Sequence, residues 1–258
     1  MTTICPICSS AASPAFKSDF ASIWQCQNRQ CGHLFAPDVE DNQGVMEDAT
    51  PESRATNFQK RNERLISSWK RRGWIRQDSR VLDFGAGVGH IDDSMRALLP
   101  DADLTCMEAS EPLAQSLEAR KFRTFRDLSE LPAGDRFDFI ILVEVIEHVK
   151  DPVRLLRDLH ERLASSGSLF LTTPCGEKRS GSRRTTAYKT RFHIQFFTEK
   201  SLKLALEKAG FRKTGFHYFP AMYPPLAGIP GIVQKLKQII KSILVRMEGY
   251  SHLVCLAK

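Results

Sequence analysis

Apolar residues follow two alternating spacings along most of the chain. Four short apolar runs have the length of buried strands, and apolar residues recur at helical spacing between them. The predicted strands are 81–84, 104–107, 137–142 and 168–172, and the predicted helices are 90–99, 111–120 and 152–163. Strands that alternate with helices form βαβ units. The pattern therefore predicts an α/β fold with a parallel sheet that binds its ligand at the carboxyl edge.

Helical spacing also marks two segments outside this series. A helix is expected from Ser53 to about Gly73, with one apolar face. A second, amphipathic helix of about 230–248 follows Pro230 and carries lysines off its apolar face. This helix has four possible roles: packing on its own domain, covering a site, forming a dimer contact, or contacting a membrane surface through residues 230–247.

The composition is that of an ordinary globular protein. Hydrophobic residues make up 42% of the 258 residues and charged residues 26%, which disfavours a disordered or a collagenous chain. The sequence has no run of eighteen apolar residues, and its first residues lack the basic start and apolar run of a secretory signal. We therefore expect a cytoplasmic protein without a spanning helix.

The formal charge of +7 is unevenly distributed. Segment 177–191 has a net charge of +5 and segment 230–258 a net charge of +4. Because the basic residues are local, binding of nucleic acid by the whole molecule is not favoured. The arginines of 177–191 would bind a phosphate-bearing acceptor, or the segment is a solvated loop.

Four of the seven cysteines fall within the first 31 residues and have the spacing of metal ligands: Cys5, Cys8, Cys26 and Cys31. Four thiolates complete the tetrahedron that structural Zn²⁺ prefers. The pattern resembles a zinc ribbon, except that its second pair is C-x4-C, and His33 is an alternative fourth ligand. The alternative is a cluster of free thiols. The expected organisation is a zinc-ribbon-like module at 1–36, a linker at 37–52 and a main domain at 53–258.

A glycine-rich turn follows the first predicted strand of the main domain. Gly85, Gly87 and Gly89 would let a ligand approach the backbone closely. Glu108 ends the next strand about twenty residues later, where a carboxylate can accept hydrogen bonds from both ribose hydroxyls. This spacing allows NAD as well as other nucleosides.

Two residues near the turn bear on that choice. His90 stands where the pyrophosphate-binding register requires glycine. A carboxylate at Asp83 would repel a diphosphate and attract an ammonium or a sulfonium group. The details favour a nucleoside with a cationic centre over a dinucleotide.

Five segments in order resemble the motifs of class I S-adenosylmethionine-dependent methyltransferases: 81–89, 107–110, Asp127, 137–148 and 163–174. The resemblance covers about residues 53–219. It implies a doubly wound, Rossmann-like and mostly parallel sheet of seven strands, whose final strand within 251–257 is antiparallel. It also implies S-adenosyl-L-methionine as cofactor, with these binding residues: Asp83, Gly85, Ala86, Gly87, Gly89, Glu108, Ala109, Asp127, Leu128 and Val143.

The candidate catalytic residues follow the fourth predicted strand. Glu144, Glu147 and His148 have a Glu-x-x-Glu-His spacing, and His193 lies downstream. His148 is the best candidate for a general base. The four residues resemble a constellation of ubiquinone-biosynthesis O-methyltransferases and small-RNA 2′-O-methyltransferases, which implies a divalent ion that activates a hydroxyl. The alternative is that they line the cofactor pocket and anchor a strand.

These observations favour methylation of oxygen or nitrogen in a small molecule, a sugar or a lipid-like acceptor. An RNA methyltransferase that acts on ribosomal RNA or on an RNA 2′-hydroxyl, with the zinc ribbon docking the RNA, is the alternative. A cofactor-binding protein without catalytic activity is a weaker alternative.

Overall fold

The computed structural model describes residues 3–39, 52–176, 188, 191–216 and 252–258, without the side chains of 52–58 and 252. The chain divides into two compact units. The first contains 1–45, 133–217 and 251–258, and the second contains 46–132 and 218–250. Most of the predicted linker, most of segment 177–191 and the amphipathic helix at 230–248 lie outside the described residues.

The described chain contains the following strands and helices, numbered in chain order. The strands are β1 (Thr3–Ile4), β2 (Ala11–Lys17), β3 (Ser22–Cys26), β4 (Leu34–Phe35), β5 (Arg80–Phe84), β6 (Asp103–Met107), β7 (Arg123–Phe125), β8 (Phe137–Val143), β9 (Leu163–Pro174), β10 (Gln195–Phe196), β11 (Thr214–Phe216) and β12 (His252–Ala257). The helices are α1 (Glu52–Arg71), α2 (His90–Leu98), α3 (Glu111–Ala119), α4 (Pro152–Glu161) and α5 (Glu199–Ala209). None of these described helices is both long and apolar enough to cross a membrane.

A seven-stranded mixed sheet confirms the predicted fold class. In the second unit its order is β5-β6-β7, and all three strands are parallel. In the first unit its order is β11-β12-β9-β8. There β8 and β9 are parallel, and β12 is antiparallel to both β9 and β11, as expected for the final strand.

The largest difference from the predicted boundaries lies between α4 and β9. The helix expected to end at residue 163 ends at Glu161, and β9 begins at Leu163 rather than at 168. Leu163 pairs with Phe137, and an irregularity in the register then accommodates the four residues 164–167. Pairing with β8 replaces the last helical turn, because tertiary contacts override local helix propensity.

The N-terminal cysteine module contributes to a second, five-stranded sheet. Its antiparallel order is β1-β2-β3-β4-β10, so a strand from residues 195–196 completes it. Ile23, Ala36, Tyr188 and Phe196 form its buried apolar cluster. The module therefore shares a core with the later part of the first unit.

Two buried carboxyl groups lie together in the core of the second unit. Asp83 at the end of β5 and Asp92 on α2 are 3% and 1% exposed. Burial, together with its hydrogen-bonded neighbour Asp92, raises the pKa of Asp83 well above its usual range, and burial raises the pKa of Asp92 to about 6. Oδ2 of Asp92 has no hydrogen-bond partner among the described residues. Both carboxyl groups are therefore harder to ionise in the folded protein than in the unfolded chain.

We expect Asp92→Asn to stabilise the protein above pH 6 and to change its stability little at pH 4. The folded-state pKa of Asp92 lies above its unfolded value. Its contribution to stability is therefore complete below about pH 4 and is lost as pH rises through about 6. One pKa unit corresponds to about 1.4 kcal/mol, so the free energy of unfolding at pH 7.5 should rise by roughly 2–3 kcal/mol.

Urea denaturation at pH 4 and pH 7.5 measures this difference. Asp101→Asn, at an exposed position of the same unit, is the matched control and should give no comparable gain. An Asp92→Asn protein that is no more stable than wild type at pH 7.5 contradicts the expectation.

Candidate functional site

The glycine turn folds back over the end of the neighbouring strand. Gly85 and Gly87 have φ values of 80° and 58°, in the left-handed region that favours glycine. The backbone N–H groups of Gly85 and Ala86 both donate to the carbonyl oxygen of Met107, at 2.8 and 3.0 Å. The turn between β5 and α2 is thus fixed against the carboxyl end of β6.

Glu108 has a structural contact that the sequence did not predict. Its Oε2 accepts a hydrogen bond from the N–H of Gly87 at 2.8 Å, and its Oε1 accepts one from the N–H of Ser110 at 2.8 Å. The side chain lies at the sheet edge and is 7% exposed. A carboxylate has about four acceptor positions. Glu108 therefore has the capacity to accept hydroxyl groups of a ligand while it holds the turn.

Asp127 lies at the same edge of the sheet as Glu108. The N–H of Glu108 donates to the carbonyl oxygen of Phe125 at 3.0 Å, and Asp127 follows two residues later. Its carboxylate accepts from the N–H of Ser129 at 2.8 Å, and hydrogen bonding to Ser129 lowers the pKa of Asp127. Leu128 beside it is half-buried. Two carboxylates thus follow adjacent parallel strands.

Two other predicted cofactor residues, Asp83 and Gly89, also have structural contacts. Asp83 is buried against Asp92, and burial raises its pKa well above its usual range; its contact with the cofactor stays a prediction. Gly89 has a φ of 75° and precedes the first residue of α2. A Cβ there would lie 2.6 Å from the side chain of Leu117, so this glycine permits α2 and α3 to pack closely.

The remaining two predicted cofactor residues also lie at strand ends. Ala109 is exposed, and its carbonyl oxygen accepts from Nη2 of Arg126 at 3.2 Å. Val143 is half-buried, lies at the end of β8 in the first unit and pairs with Thr172.

Glu144 begins the candidate catalytic segment in a strained backbone conformation. Its φ is 56°, which is uncommon for a residue with a side chain. The backbone N–H donates to the carbonyl oxygen of Thr172 at 3.0 Å, and the carboxylate accepts from Oγ1 of Thr172 at 2.8 Å. Strain of this kind persists where surrounding contacts determine the conformation, and it is concentrated at functional sites.

Glu147 is a buried acid with one unpaired oxygen. It is 1% exposed, and its Oε2 accepts from Oγ1 of Thr173 at 2.9 Å. Oε1 has no hydrogen-bond partner among the described residues. Burial, and then the negative charge of Glu144, raise the pKa of Glu147 well above its usual range. An additional positive charge would stabilise its ionised form.

Two imidazoles lie beside this acid. Nε2 of His193 is 4.0 Å from Oε1 of Glu147, and the ring centroids of His148 and His193 are 4.9 Å apart. Nδ1 of His148 is 3.0 Å from the carbonyl oxygen of Phe192. One ligand atom from each of Glu147, His148 and His193 lies within 4.8 Å of the others. These three residues are called the acid–histidine cluster below; Glu144 flanks it.

The four N-terminal cysteines converge as the spacing predicted, and their sulfur atoms all lie within 4.8 Å of one another. Sγ of Cys5 is 3.7 Å from that of Cys31, and Sγ of Cys8 is 3.4 Å from that of Cys26. Hydrogen bonding with Cys31 lowers the pKa of Cys5 to about 5. A tetrahedral zinc with Zn–S bonds of about 2.3 Å would place its sulfurs roughly 3.8 Å apart, close to these separations.

His33 does not join the cysteines as the alternative fourth ligand. Its ring is buried, with Nε2 2.8 Å from Oε1 of Gln195 and Nδ1 3.2 Å from Oγ of Ser201. Burial lowers the pKa of His33 to about 4, so the ring is neutral at pH 7.

Several partners of the site residues were not identified from the sequence. Thr172 and Thr173 hold the two carboxylates, Asp92 pairs with Asp83, and Gln195 contacts His33. The sequence offered two signals: the pair Thr172 and Thr173 in the otherwise apolar strand β9, and the glutamine between Ile194 and Phe196. Polar side chains that are buried require hydrogen-bond partners.

Comparison with known proteins agrees with this geometry. The family model of the methyltransferase domain matches residues 58–214, more than half of the chain. The match includes the glycine turn, Glu108 and the acid–histidine cluster. The N-terminal cysteine module lies outside it.

Curated relatives match a shorter part of the chain. The chain is 34% identical over 118 residues to the mitochondrial ubiquinone biosynthesis O-methyltransferase of Candida albicans. The match covers 40% of this chain and 35% of that protein. The chain is 33% identical over 105 residues to the ubiquinone biosynthesis O-methyltransferase of Xanthomonas axonopodis pv. citri (strain 306). That match covers 37% of this chain and 43% of the relative. The chain thus spans less than half the length of either relative.

Solved structures share the fold at low sequence identity. A SAM dependent methyltransferase from Archaeoglobus fulgidus superimposes with a TM-score of 0.54 at 18% identity, over 81% of this chain and all of that one. The plantazolicin methyltransferase BpumL, in complex with SAH, superimposes with a TM-score of 0.53 at 17% identity, over 80% of this chain and 85% of that one. Together with the family match, which carries the assignment, these similarities show that the chain belongs to the methyltransferase domain family.

Proposed function

We propose that the protein is an S-adenosylmethionine-dependent methyltransferase that acts on an oxygen or nitrogen of a small molecule, sugar or lipid-like acceptor. The observation that carries this proposal is the Glu108 carboxylate, which holds the glycine turn and keeps acceptor positions at the carboxyl edge of parallel strands. The similarity to ubiquinone biosynthesis O-methyltransferases favours a small acceptor.

The residues of the second unit fit this cofactor. Glu108 would accept hydrogen bonds from the ribose hydroxyls, and Asp127 would accept one from the adenine amino group. The main chain of Gly85, Ala86 and Gly87 permits close approach. When bound, the cofactor supplies a methyl group on a positively charged sulfur. Orientation of the reactants contributes most to a displacement of this kind.

His148 is the proposed general base of the first unit. Its Nδ1–H donates to the carbonyl oxygen of Phe192 at 3.0 Å, and this tautomer has its basic lone pair on Nε2. Nε2 would take the proton that a hydroxyl or amine loses on methylation. The positive charge of the resulting imidazolium would in turn favour ionisation of the neighbouring Glu147.

The acid–histidine cluster also fits a divalent ion. A buried carboxylate oxygen without a hydrogen-bond partner lies 4.0 Å from one imidazole, and oxygen and imidazole donors suit ions such as Mn²⁺ and Zn²⁺. As the alternative to a general base at His148, an ion held by Glu147, His148 and His193, with Glu144 close by, would occupy Nε2 of His148 and supply Lewis acidity toward an acceptor hydroxyl.

The N-terminal cysteines are proposed to hold a structural Zn²⁺. Their sulfur separations are close to those of a tetrahedral site, and four thiolates leave no open coordination position. The ion would stabilise a module whose own apolar core is small.

Glu108→Ala should weaken cofactor binding by at least about tenfold. The variant loses acceptors for the ribose hydroxyls and for the N–H of Gly87, and a hydrogen bond to a charged group contributes roughly 1.5–3 kcal/mol. Calorimetric titration with S-adenosylhomocysteine measures the affinity.

Glu118→Ala, at an exposed position of α3, is the control. Glu108→Gln retains one acceptor for Gly87 and tests the assignment if the alanine variant unfolds. Equal affinity in a folded variant would refute the ribose contact.

Labelled methyl groups should transfer from the cofactor to a small-molecule fraction of a cell extract and not to total RNA. His148→Ala should reduce this transfer by about a hundredfold or more, because a positioned general base contributes roughly 10²–10⁴-fold. His160→Ala, which removes a histidine elsewhere in the first unit, should leave the transfer unchanged. Label in RNA would support the RNA methyltransferase instead, and cofactor binding without transfer to either fraction would indicate a binding protein.

Metal analysis should distinguish two independent sites. The purified protein should contain one zinc per chain that brief chelation does not remove, and added Mn²⁺ should bind elsewhere. Cys26→Ser should lower the zinc content, and Glu147→Gln should abolish Mn²⁺ binding while zinc is retained. Cys255→Ala, a buried cysteine on β12, is the control for both. Zinc-free wild-type protein, or Mn²⁺ binding unchanged by Glu147→Gln, would contradict the respective site.

A further inference from the structure

Gln195 connects the two chain segments that carry the acid–histidine cluster. Its side chain is 2% exposed, and Nε2 donates to the carbonyl oxygen of Val149 at 2.8 Å. Val149 directly follows His148, and Gln195 lies two residues after His193. This one amide therefore links the backbone beside one imidazole to the backbone beside the other.

The same amide determines the tautomer of His33. Because Nε2 of Gln195 donates to Val149, its Oε1 is the acceptor toward Nε2 of His33 at 2.8 Å. His33 then carries its proton on Nε2, and Nδ1 accepts from the hydroxyl of Ser201 at 3.2 Å. The imidazole also packs against the rings of Phe35 and Phe197, with centroid separations of 6.0 and 5.0 Å. Nε2 of Gln195 also donates to the carbonyl oxygen of Lys150 at 3.3 Å, so both polar atoms of the amide have partners.

The backbone continues this connection in both directions. The carbonyl oxygen of His33 accepts from the N–H of Cys26 at 2.8 Å, within the proposed zinc site. The N–H of Ala36 donates to the carbonyl oxygen of Ile194, and the N–H of Ile194 donates to the carbonyl oxygen of Glu147, both at 2.8 Å. Hydrogen bonds therefore extend without interruption from the cysteine module to the cluster.

We propose that His33 and Gln195 are positioning residues, through which the cysteine module holds His148 and His193 in the geometry that binds a divalent ion. This inference rests on the proposed function, in which the acid–histidine cluster holds that ion. His33 and Gln195 are not members of the acid–histidine cluster, and they would act only through the residues that are. Removal of groups that orient metal ligands commonly weakens metal affinity by about 10–100-fold.

Gln195→Met and Gln25→Met in the full-length protein form the matched pair that tests the inference. Methionine keeps the length of the side chain and removes its hydrogen bonds. Gln25 is exposed on β3 of the same five-stranded sheet. Electron paramagnetic resonance measures Mn²⁺ affinity, and zinc content and melting temperature are recorded in parallel. We expect Gln195→Met to bind Mn²⁺ at least about tenfold more weakly with its zinc retained, and Gln25→Met to match wild type.

His33→Phe is the second variant and decides the test if Gln195→Met does not fold. It keeps a ring between Phe35 and Phe197 and removes both side-chain hydrogen bonds. A similar loss of Mn²⁺ affinity with zinc retained would support the inference. Wild-type Mn²⁺ affinity in folded variants would overturn it. Loss of zinc together with Mn²⁺ would also overturn it, because the module itself would then be unfolding.

A separate measurement distinguishes failure of this inference from failure of the proposed ion. If the wild-type protein binds no Mn²⁺, the ion is refuted and hydrogen exchange of the Ile194 amide decides the positioning role. Faster exchange in Gln195→Met, confined to 145–149 and 192–196, would support positioning. Unchanged protection of Ile194 would overturn it.

Discussion

The structure depends on buried carboxylates that are held by specific donors at strand ends. Glu108 accepts two backbone N–H groups and thereby fixes the glycine turn, and Glu147 accepts the hydroxyl of Thr173. A buried carboxylate without such donors would protonate or force the chain open, since its desolvation is costly. Fixed donors therefore determine which carboxyl oxygens remain for a ligand in both units.

The cysteine module is part of the unit that carries the acid–histidine cluster. Its apolar cluster includes Tyr188 and Phe196, and its sheet includes β10. Yet the family match begins only at residue 58. An element outside the shared domain thus packs against the segment that supplies His193, which gives this chain a means of fixing that segment within the common fold.

Periodicity and spacing predicted much of the fold and brought the right cysteines and acids together. The parallel strands, the final antiparallel strand and the convergence of Cys5 with Cys31 follow local patterns or a family motif. Long-range partnerships were missed. The burial of Asp83 beside Asp92 was not predicted, and His33 contacts Gln195 instead of the cysteines. Sequence alone shows that a polar residue is present, but its burial and partner depend on elements far along the chain.

The sheet of the N-terminal module also has a bearing on how the protein is made. The strand that completes it, and the amide that His33 requires, lie about 160 residues downstream. At 5–20 residues per second, the ribosome needs roughly 8–30 s to synthesise that distance. The module is therefore synthesised well before the strand that completes its sheet. During this interval β4 lacks its partner β10, so a metal bound early would limit the conformations that the nascent segment can adopt.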